Sequence, residues 1–526
     1  MSAEVLHGDS FKVLATMEES SFDAVVCDPP YGLEFMGEEW DKLSGGFSGI
    51  EEKNMVLPSY LRADKNIKCP DCGKWVYDHD PCRCGGAQRQ AQRQMQEWHY
   101  GWAREAFRVL RPGGWLLAFG GSRTYHRLAC AVEDAGFELK DSMMWLYGSG
   151  FPKSLKVPMA IDKHLGVDVK DDERWEREDH PGRPGARAGE REQKIIGQTV
   201  HSTDKNPEGL RHAYVPVTDE AKEWDDWGTA LKPAHEPIVV GRKPLIGTVA
   251  RNVLTHGTGA LNIGATRIGD DAGWSYPNGR GGQGWHGRES LGENLDVPMR
   301  ADAGRWPANV ILQHLPDCAD DECADGCVVL ELDAATGDLP VGHWPGSRPA
   351  NAFGFGHVGQ GDLSEKVAER GGASRFFYCA KVSRAERNAG LGDDFDAEPL
   401  NWSSGDANPG AFQSDGTERE AKNNHPTVKP IDVMRWLLRL SVRPGGRVLD
   451  PFAGSGSAGV AAELEGVEYV GVEKEERWVR VARARIAFWS EHGEEALDVM
   501  RAREQAERRR ETAREAGQLD LLADAG

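Results

Sequence analysis

The segment from Arg447 to Glu473 permits few folds. Val448 and Leu449 end a short apolar run that follows the turn Arg443-Pro444-Gly445-Gly446. The run closes on Asp450-Pro451-Phe452-Ala453-Gly454-Ser455-Gly456-Ser457, and the helical pattern Ala458-Gly459-Val460-Ala461-Ala462-Glu463-Leu464 follows. Glu468-Tyr469-Val470-Gly471-Val472-Glu473 then reads as a second strand ending in an acid. Strand, glycine turn, helix and strand make a ligand-binding βαβ unit: the glycines let backbone approach a ligand, and the helix N-terminus offers free N–H groups. An acid about 20 residues past the turn suits the two hydroxyls of a ribose. A plain dinucleotide fold is the rival reading. The turn is not Gly-x-Gly-x-x-Gly, however, and the acid Asp450 at the strand end would repel a pyrophosphate. It suits a ligand with a cationic amino-acid group.

A second anchor lies near the N-terminus. The apolar run Phe22-Asp23-Ala24-Val25-Val26-Cys27 reads as a buried parallel strand and ends on Asp28-Pro29-Pro30-Tyr31. The acid can accept hydrogen bonds from an amino group, the prolines fix the loop and present a carbonyl, and the tyrosine offers a stacking face. Taken alone, the tetrapeptide fits a strand-to-loop turn equally well. Cys27 precedes the acid and points to the other side of the strand, so it reads as a core thiol rather than a nucleophile.

The chain has 526 residues, 39% hydrophobic and 28% charged, enough for two to four domains. It has no run of 18 apolar residues and no signal-like start, so a cytoplasmic protein is the simplest expectation. A net charge of −21 argues against coating nucleic acid by bulk electrostatics, though not against a local basic cleft. Arg242, Lys243, Arg251 and Arg267 lie among strand-like pieces, where a solvated charged face is a plainer reading than phosphate contact.

With both anchors in view, the chain resembles the amino-methylating DNA methyltransferases. The resemblance rests on Asp28–Tyr31 and Asp450–Gly456, on His425-Pro426-Thr427-Val428-Lys429-Pro430, on Gly8-Asp9 and on Arg111-Pro112-Gly113-Gly114. The catalytic motif precedes the cofactor motif, an order similar to the β group of these enzymes, whose target-recognition region lies between the two. Leu231-Lys232-Pro233-Ala234-His235-Glu236-Pro237 and Gly304-Arg305-Trp306-Pro307-Ala308-Asn309 resemble phage and prophage members. The resemblance implies an α/β doubly wound, mostly parallel sheet in permuted order, bound to S-adenosylmethionine and acting on double-stranded DNA after base flipping. It gives Asp28 and the Pro29 carbonyl the target amine, with Pro30 completing the loop and Tyr31 stacking on the base. It gives Phe452 the methionine part of the cofactor, and Asp450, Gly454 and Gly456 its amino-acid end. Glu473 takes the ribose, Asp9 stands near the adenine, and Thr427 and Lys429 lie close to the methionine carboxylate. An acid at position 28 favours N6-adenine over N4-cytosine. A non-catalytic nucleic-acid-binding protein and an enzyme acting on RNA or protein are the more distant alternatives. A homodimer is compatible with the sequence, which assigns no restriction endonuclease partner and no recognition site.

The expected organisation is an N-terminal methyltransferase part over 1–160, target recognition and insertions over 161–420, the cofactor part over 421–490 and a charged helical tail over 491–526. Ten cysteines, mostly clustered, favour metal over disulfides. Cys69, Cys72, Cys82 and Cys84 have the spacing of a structural zinc ribbon, inserted over 66–87. His314, Cys318, Cys323 and Cys327 form a looser second candidate in an acidic stretch, with a solvated loop as the alternative.

Overall fold

The computed structural model describes residues 3–31, 86–148, 154–168, 175–178, 211–269, 304–315, 318, 323–324, 327–337, 339–340, 370–382, 385–392, 394–399 and 420–500. Nine strands among these residues share one sheet: β1 (Ala3–His7), β2 (Phe22–Cys27), β3 (Leu110–Phe119), β4 (Glu138–Leu146), β5 (His235–Arg242), β6 (Val310–Gln313), β7 (Tyr378–Ala380), β8 (Arg447–Asp450) and β9 (Glu468–Glu473). Their spatial order is β1-β9-β8-β2-β3-β5-β4-β6-β7. All neighbours are parallel except those of β5, which runs against both β3 and β4. The expected doubly wound, mostly parallel α/β fold is therefore the observed one.

Strands buried on both faces need apolar residues at every position, and β2 has them at all but Asp23. Ala24 and Val26 face a layer that contains α5 (Ile431–Ser441), α6 (Ser457–Glu465) and α7 (Glu476–His492). Val25 and Cys27 face the other layer, with α1 (Ser10–Thr16), α2 (Gly86–Val109) and α3 (Tyr125–Asp134). Cys27 is fully buried there beside Trp102, and burial pushes its thiol well above the ordinary range; it is a core thiol, as expected. A further helix, α4 (Val328–Thr336), packs beside β6.

The sheet does not respect the expected divisions of the chain. Strands β5, β6 and β7 come from the 161–420 segment, yet β5 lies inside the sheet and the other two extend it. The reason is a hydrophobic one: Ile238, Val239 and Val240 are buried and fill the gap between β3 and β4. The antiparallel course of β5 also settles its charges. Arg242 and Lys243 emerge at the edge opposite Asp28, where Arg242 bonds Glu138 at 2.7 Å and Lys243 donates to the Leu110 carbonyl at 2.7 Å. Arg267 donates to the Gly304 carbonyl and lies over Trp306. The charged tail starts in the core rather than in solvent, since Ala496 is fully buried and Leu497 packs beside it; residues 501–526 lie outside the described residues. Among the described residues no helix is long and apolar enough to cross a membrane.

One buried acid fastens the sheet at its far edge. Asp23 accepts from the Arg111 guanidinium and, at 2.7 Å, from the Arg447 backbone N–H, and so joins β2 to β3 and β8. Asp23→Ala leaves that N–H unsatisfied and is expected to destabilise the fold by about 2–3 kcal/mol in urea unfolding. A change below about 0.5 kcal/mol, the range of neutral surface substitutions, would show that the tie is dispensable.

Candidate active site

Parallel strands deliver their C-terminal residues to one edge. Asp9, Asp28, Asp450 and Glu473 all stand there and line one cavity, together with Phe452 and Thr427. Asp9 caps α1, accepting from the Phe11 and Lys12 N–H groups at 3.1 and 3.4 Å. Glu473 is almost fully buried and holds the glycine turn: one oxygen accepts from Gly454 N–H at 2.9 Å, the other from Glu475 N–H at 2.8 Å. The Lys474 N–H bonds this carboxylate as well, which leaves lone-pair capacity for one ligand contact. Gly454 and Gly456 have φ of +49° and +82°, and a Cβ at Gly456 would meet the Ala482 backbone at 3.0 Å. Only glycine fits there, and α6 starts directly after it. Phe452 packs against Trp98 and Trp102 with ring centroids 5.7 and 5.4 Å apart, which gives the cavity an aromatic wall.

The second half of the site is a charge cluster around Asp28. Its Oδ2 accepts from Lys429 Nζ at 2.6 Å and its Oδ1 from the Tyr31 hydroxyl at 2.8 Å. The Tyr31 hydroxyl also lies 2.9 Å from Glu236 Oε2, and Lys429 Nζ lies 3.2 Å from the same oxygen. Lys429 is 6% exposed, and its ammonium sits 5.1 Å from the Phe119 ring and 5.9 Å from the Trp145 ring. Burial works against its charge, but Asp28 and Glu236 outweigh it and hold Lys429 at about 12. Burial, with Asp28 and Glu236 adding, drives the Tyr31 hydroxyl well above its ordinary value, so the group donates and does not ionise. Lys429, expected close to the methionine carboxylate, lines the same cavity as the glycine turn, and its ammonium bonds Asp28. The antiparallel β5 explains Glu236: its first residues, not its last, reach this edge, and Glu236 pairs with Trp145 across β4.

The chain matches the DNA methylase family model N6_N4_Mtase over residues 22–244 and 377–484, more than half of its length. It belongs to this DNA methylase family. Over 178 residues it is 24% identical to the Type II methyltransferase M.HindIII of Haemophilus influenzae, covering 32% of this chain and 51% of that protein. Over 72 residues it is 40% identical to the putative methylase YubD of Escherichia coli K12, covering 14% of this chain and 32% of that one. The chain therefore spans about half the length of the first relative and about a third of the second. Among solved structures, a putative DNA modification methylase from Thermus thermophilus overlays 92% of this chain and 95% of its own at 12% identity and a TM-score of 0.32.

Of the sequence-predicted residues, Asp9, Asp28, Pro30, Thr427, Lys429, Asp450, Phe452, Gly454 and Glu473 line one cavity, with Tyr31 bonded to Asp28 and Gly456 in the adjoining glycine turn. Pro29 is buried in the loop. Cys69, Cys72, Cys82 and Cys84 lie outside the described residues. His314, Cys318, Cys323 and Cys327 do converge, at a separate place on the sheet. Glu236, His425 and Trp98 were given no role by sequence reasoning, although His425 opens one of the motifs that carry the resemblance. The acid in Leu231–Pro237 was the available signal for Glu236, but not its destination. His425 is buried against Trp478 and under Gly454, and burial, then the charges of Arg387 and Lys429, lowers it to about 3, so it packs as a neutral ring.

Asp450 is 3% exposed, and burial raises it from 3.8 to about 7 against the opposing Phe452 N–H. The fold therefore favours the protonated form. Its contribution to stability is complete below about pH 4 and is lost as pH rises towards 7. Urea unfolding across pH 4–7 is expected to show a smaller loss of stability in Asp450→Asn than in the unchanged protein. Parallel pH curves for the two would contradict this placement of the charge.

Proposed function

We propose that this protein is an S-adenosylmethionine-dependent DNA methyltransferase that methylates the exocyclic N6 of adenine in double-stranded DNA. The observation that carries the reading is the shared cavity: the catalytic-loop acid Asp28 and the glycine turn at Gly454 and Ser455 open onto one space, although they come from opposite ends of the chain. The donor set fits the cofactor. Asp450 suits a cationic amino group, Glu473 has lone-pair capacity left for a ribose hydroxyl, Phe452 and Trp98 supply apolar walls, and the glycines allow close backbone approach. When bound, S-adenosylmethionine supplies an activated methyl group.

The chain's own residues prepare the accepting amine. That nitrogen is a poor nucleophile because its lone pair is delocalised into the ring. Hydrogen bonds from its N–H groups to Asp28 and to the Pro29 carbonyl favour the charge that develops on nitrogen. Asp28 keeps lone pairs for this beside its bonds to Tyr31 and Lys429. Glu236 shares both partners, which draws them partly off Asp28. The base must leave the duplex to reach this loop, and the ring of Tyr31 would meet its face. The preference for adenine rests on the acid at position 28.

The direct test incubates the protein with methyl-labelled cofactor and unmethylated duplex DNA, then digests the DNA to nucleosides. Label is expected in N6-methyl-2′-deoxyadenosine; label in N4-methyl-2′-deoxycytidine would overturn the base assignment. Glu236→Gln is expected to lower kcat about tenfold or more, with cofactor affinity unchanged, because Lys429 and Tyr31 then commit to Asp28 and compete with the amine. An unaltered kcat would remove Glu236 from the site.

A further inference from the structure

The Cys/His cluster at the distal end of the sheet has no part in methyl transfer as proposed. We infer that His314, Cys318, Cys323 and Cys327 bind a structural zinc ion. Each residue offers one donor, and the four donor atoms all lie within 4.8 Å of one another. His314 Nδ1 is 3.4 Å from Cys323 Sγ and 3.6 Å from Cys327 Sγ. A tetrahedral zinc with three sulfurs and one nitrogen separates neighbouring donors by about 3.5–3.8 Å, given Zn–S of about 2.3 Å and Zn–N of about 2.0 Å. The two His314–cysteine separations match such a tetrahedron, and every other pair lies within about 1 Å of it. All three thiols are free, and an odd number cannot be consumed by disulfides within the set.

The surroundings have the features of a metal knuckle. The Ala324 N–H donates to Cys318 Sγ at 3.3 Å, the kind of outer bond that supports a thiolate ligand. Cys327 is the N-cap of α4, where the helix N-terminus favours negative charge. Leu312, Leu315 and Val329 are buried around the cluster and shield it from water. Cys379 packs against the same cluster but is directed at the Ser374 and Phe377 carbonyls and is not among the four donors. The segment 317–326 carries Asp317, Asp320, Asp321, Glu322 and Asp325 and few apolar residues, so a divalent cation supplies what a hydrophobic core does not.

The position gives the ion a purpose. His314 follows β6, and β6 runs parallel to β4. The site thus occupies the same sheet edge as Asp28, four strands along, or about 19 Å away at the usual strand spacing. Zinc there would fasten the end of β6 to the start of α4. The His314 N–H bond to the Ala380 carbonyl carries the tie on to β7. The result is a fixed wall beside the approach to the catalytic loop. Binding displaces the thiol protons to solvent, and no redox step is involved.

The inference does not rest on the methyl-transfer reading, and its test needs no activity. The full chain is purified, its zinc counted by native mass spectrometry, and its cysteines footprinted with N-ethylmaleimide before and after a zinc chelator, with peptide mapping. At least one zinc per chain is expected. Cys318 and Cys323 should be protected until chelation and modified after it, while exposed Cys130 reacts equally in both. Zinc held by Cys69, Cys72, Cys82 and Cys84 would leave Cys318 and Cys323 unprotected, so the footprint separates the two sets. The variant Cys318→Ser/Cys323→Ser should lose one zinc and Cys379→Ser none. Modification of Cys318 and Cys323 at the same rate with and without chelator, or a disulfide between them, would overturn the assignment.

Discussion

The bond between Lys429 and Asp28 joins residues 401 positions apart, and the site depends on it. It can form because β8 and β9, from the C-terminal part, lie between β1 and β2, from the N-terminal part. Interleaving places the Asp28–Tyr31 loop and the glycine turn side by side at one edge. A buried ion pair of this kind is a poor source of stability, since desolvation offsets most of the attraction. Its value is positional: one ammonium holds two carboxylates and a hydroxyl together at the mouth of the cavity. Asp23 makes a join at the opposite edge, where it ties β2 to β3 and β8.

The edge carries four acids along the cavity, and this pattern is selective. Burial raises Asp450 to about 7, so both of its forms are populated near neutral pH, and a cationic ligand would favour the ionised one. Glu473 spends its first lone pairs on the Gly454 and Glu475 N–H groups, so the same acid shapes the glycine turn and faces the cavity.

Local pattern made much of this legible. The runs at 22–27, 447–450 and 468–473 form the strands they predict, because strands buried on both faces need continuous apolar sequence. The glycine turn and Asp28–Tyr31 were legible for a like reason: each is a backbone requirement written in consecutive residues. Contacts between distant segments were not. Nothing near Glu236 says that β5 enters the sheet antiparallel and delivers that acid to Asp28. Lys429 stands in a motif whose neighbours suggest the cofactor, yet its side chain finds two carboxylates. The Cys/His set from 314 to 327 has loose spacing in sequence, and only the packing of β6 against α4 brings its donors together.

The most direct measurement is single-turnover transfer of a labelled methyl group to unmethylated duplex DNA by the unchanged protein and by Asp28→Ala, with cofactor binding followed by calorimetry. Methyl transfer at this edge predicts labelled DNA from the first and a loss of about 100-fold or more in the second, with cofactor bound equally by both. Equal transfer by both proteins, or binding lost together with transfer, would contradict the assignment of Asp28 as the residue that holds the accepting amine.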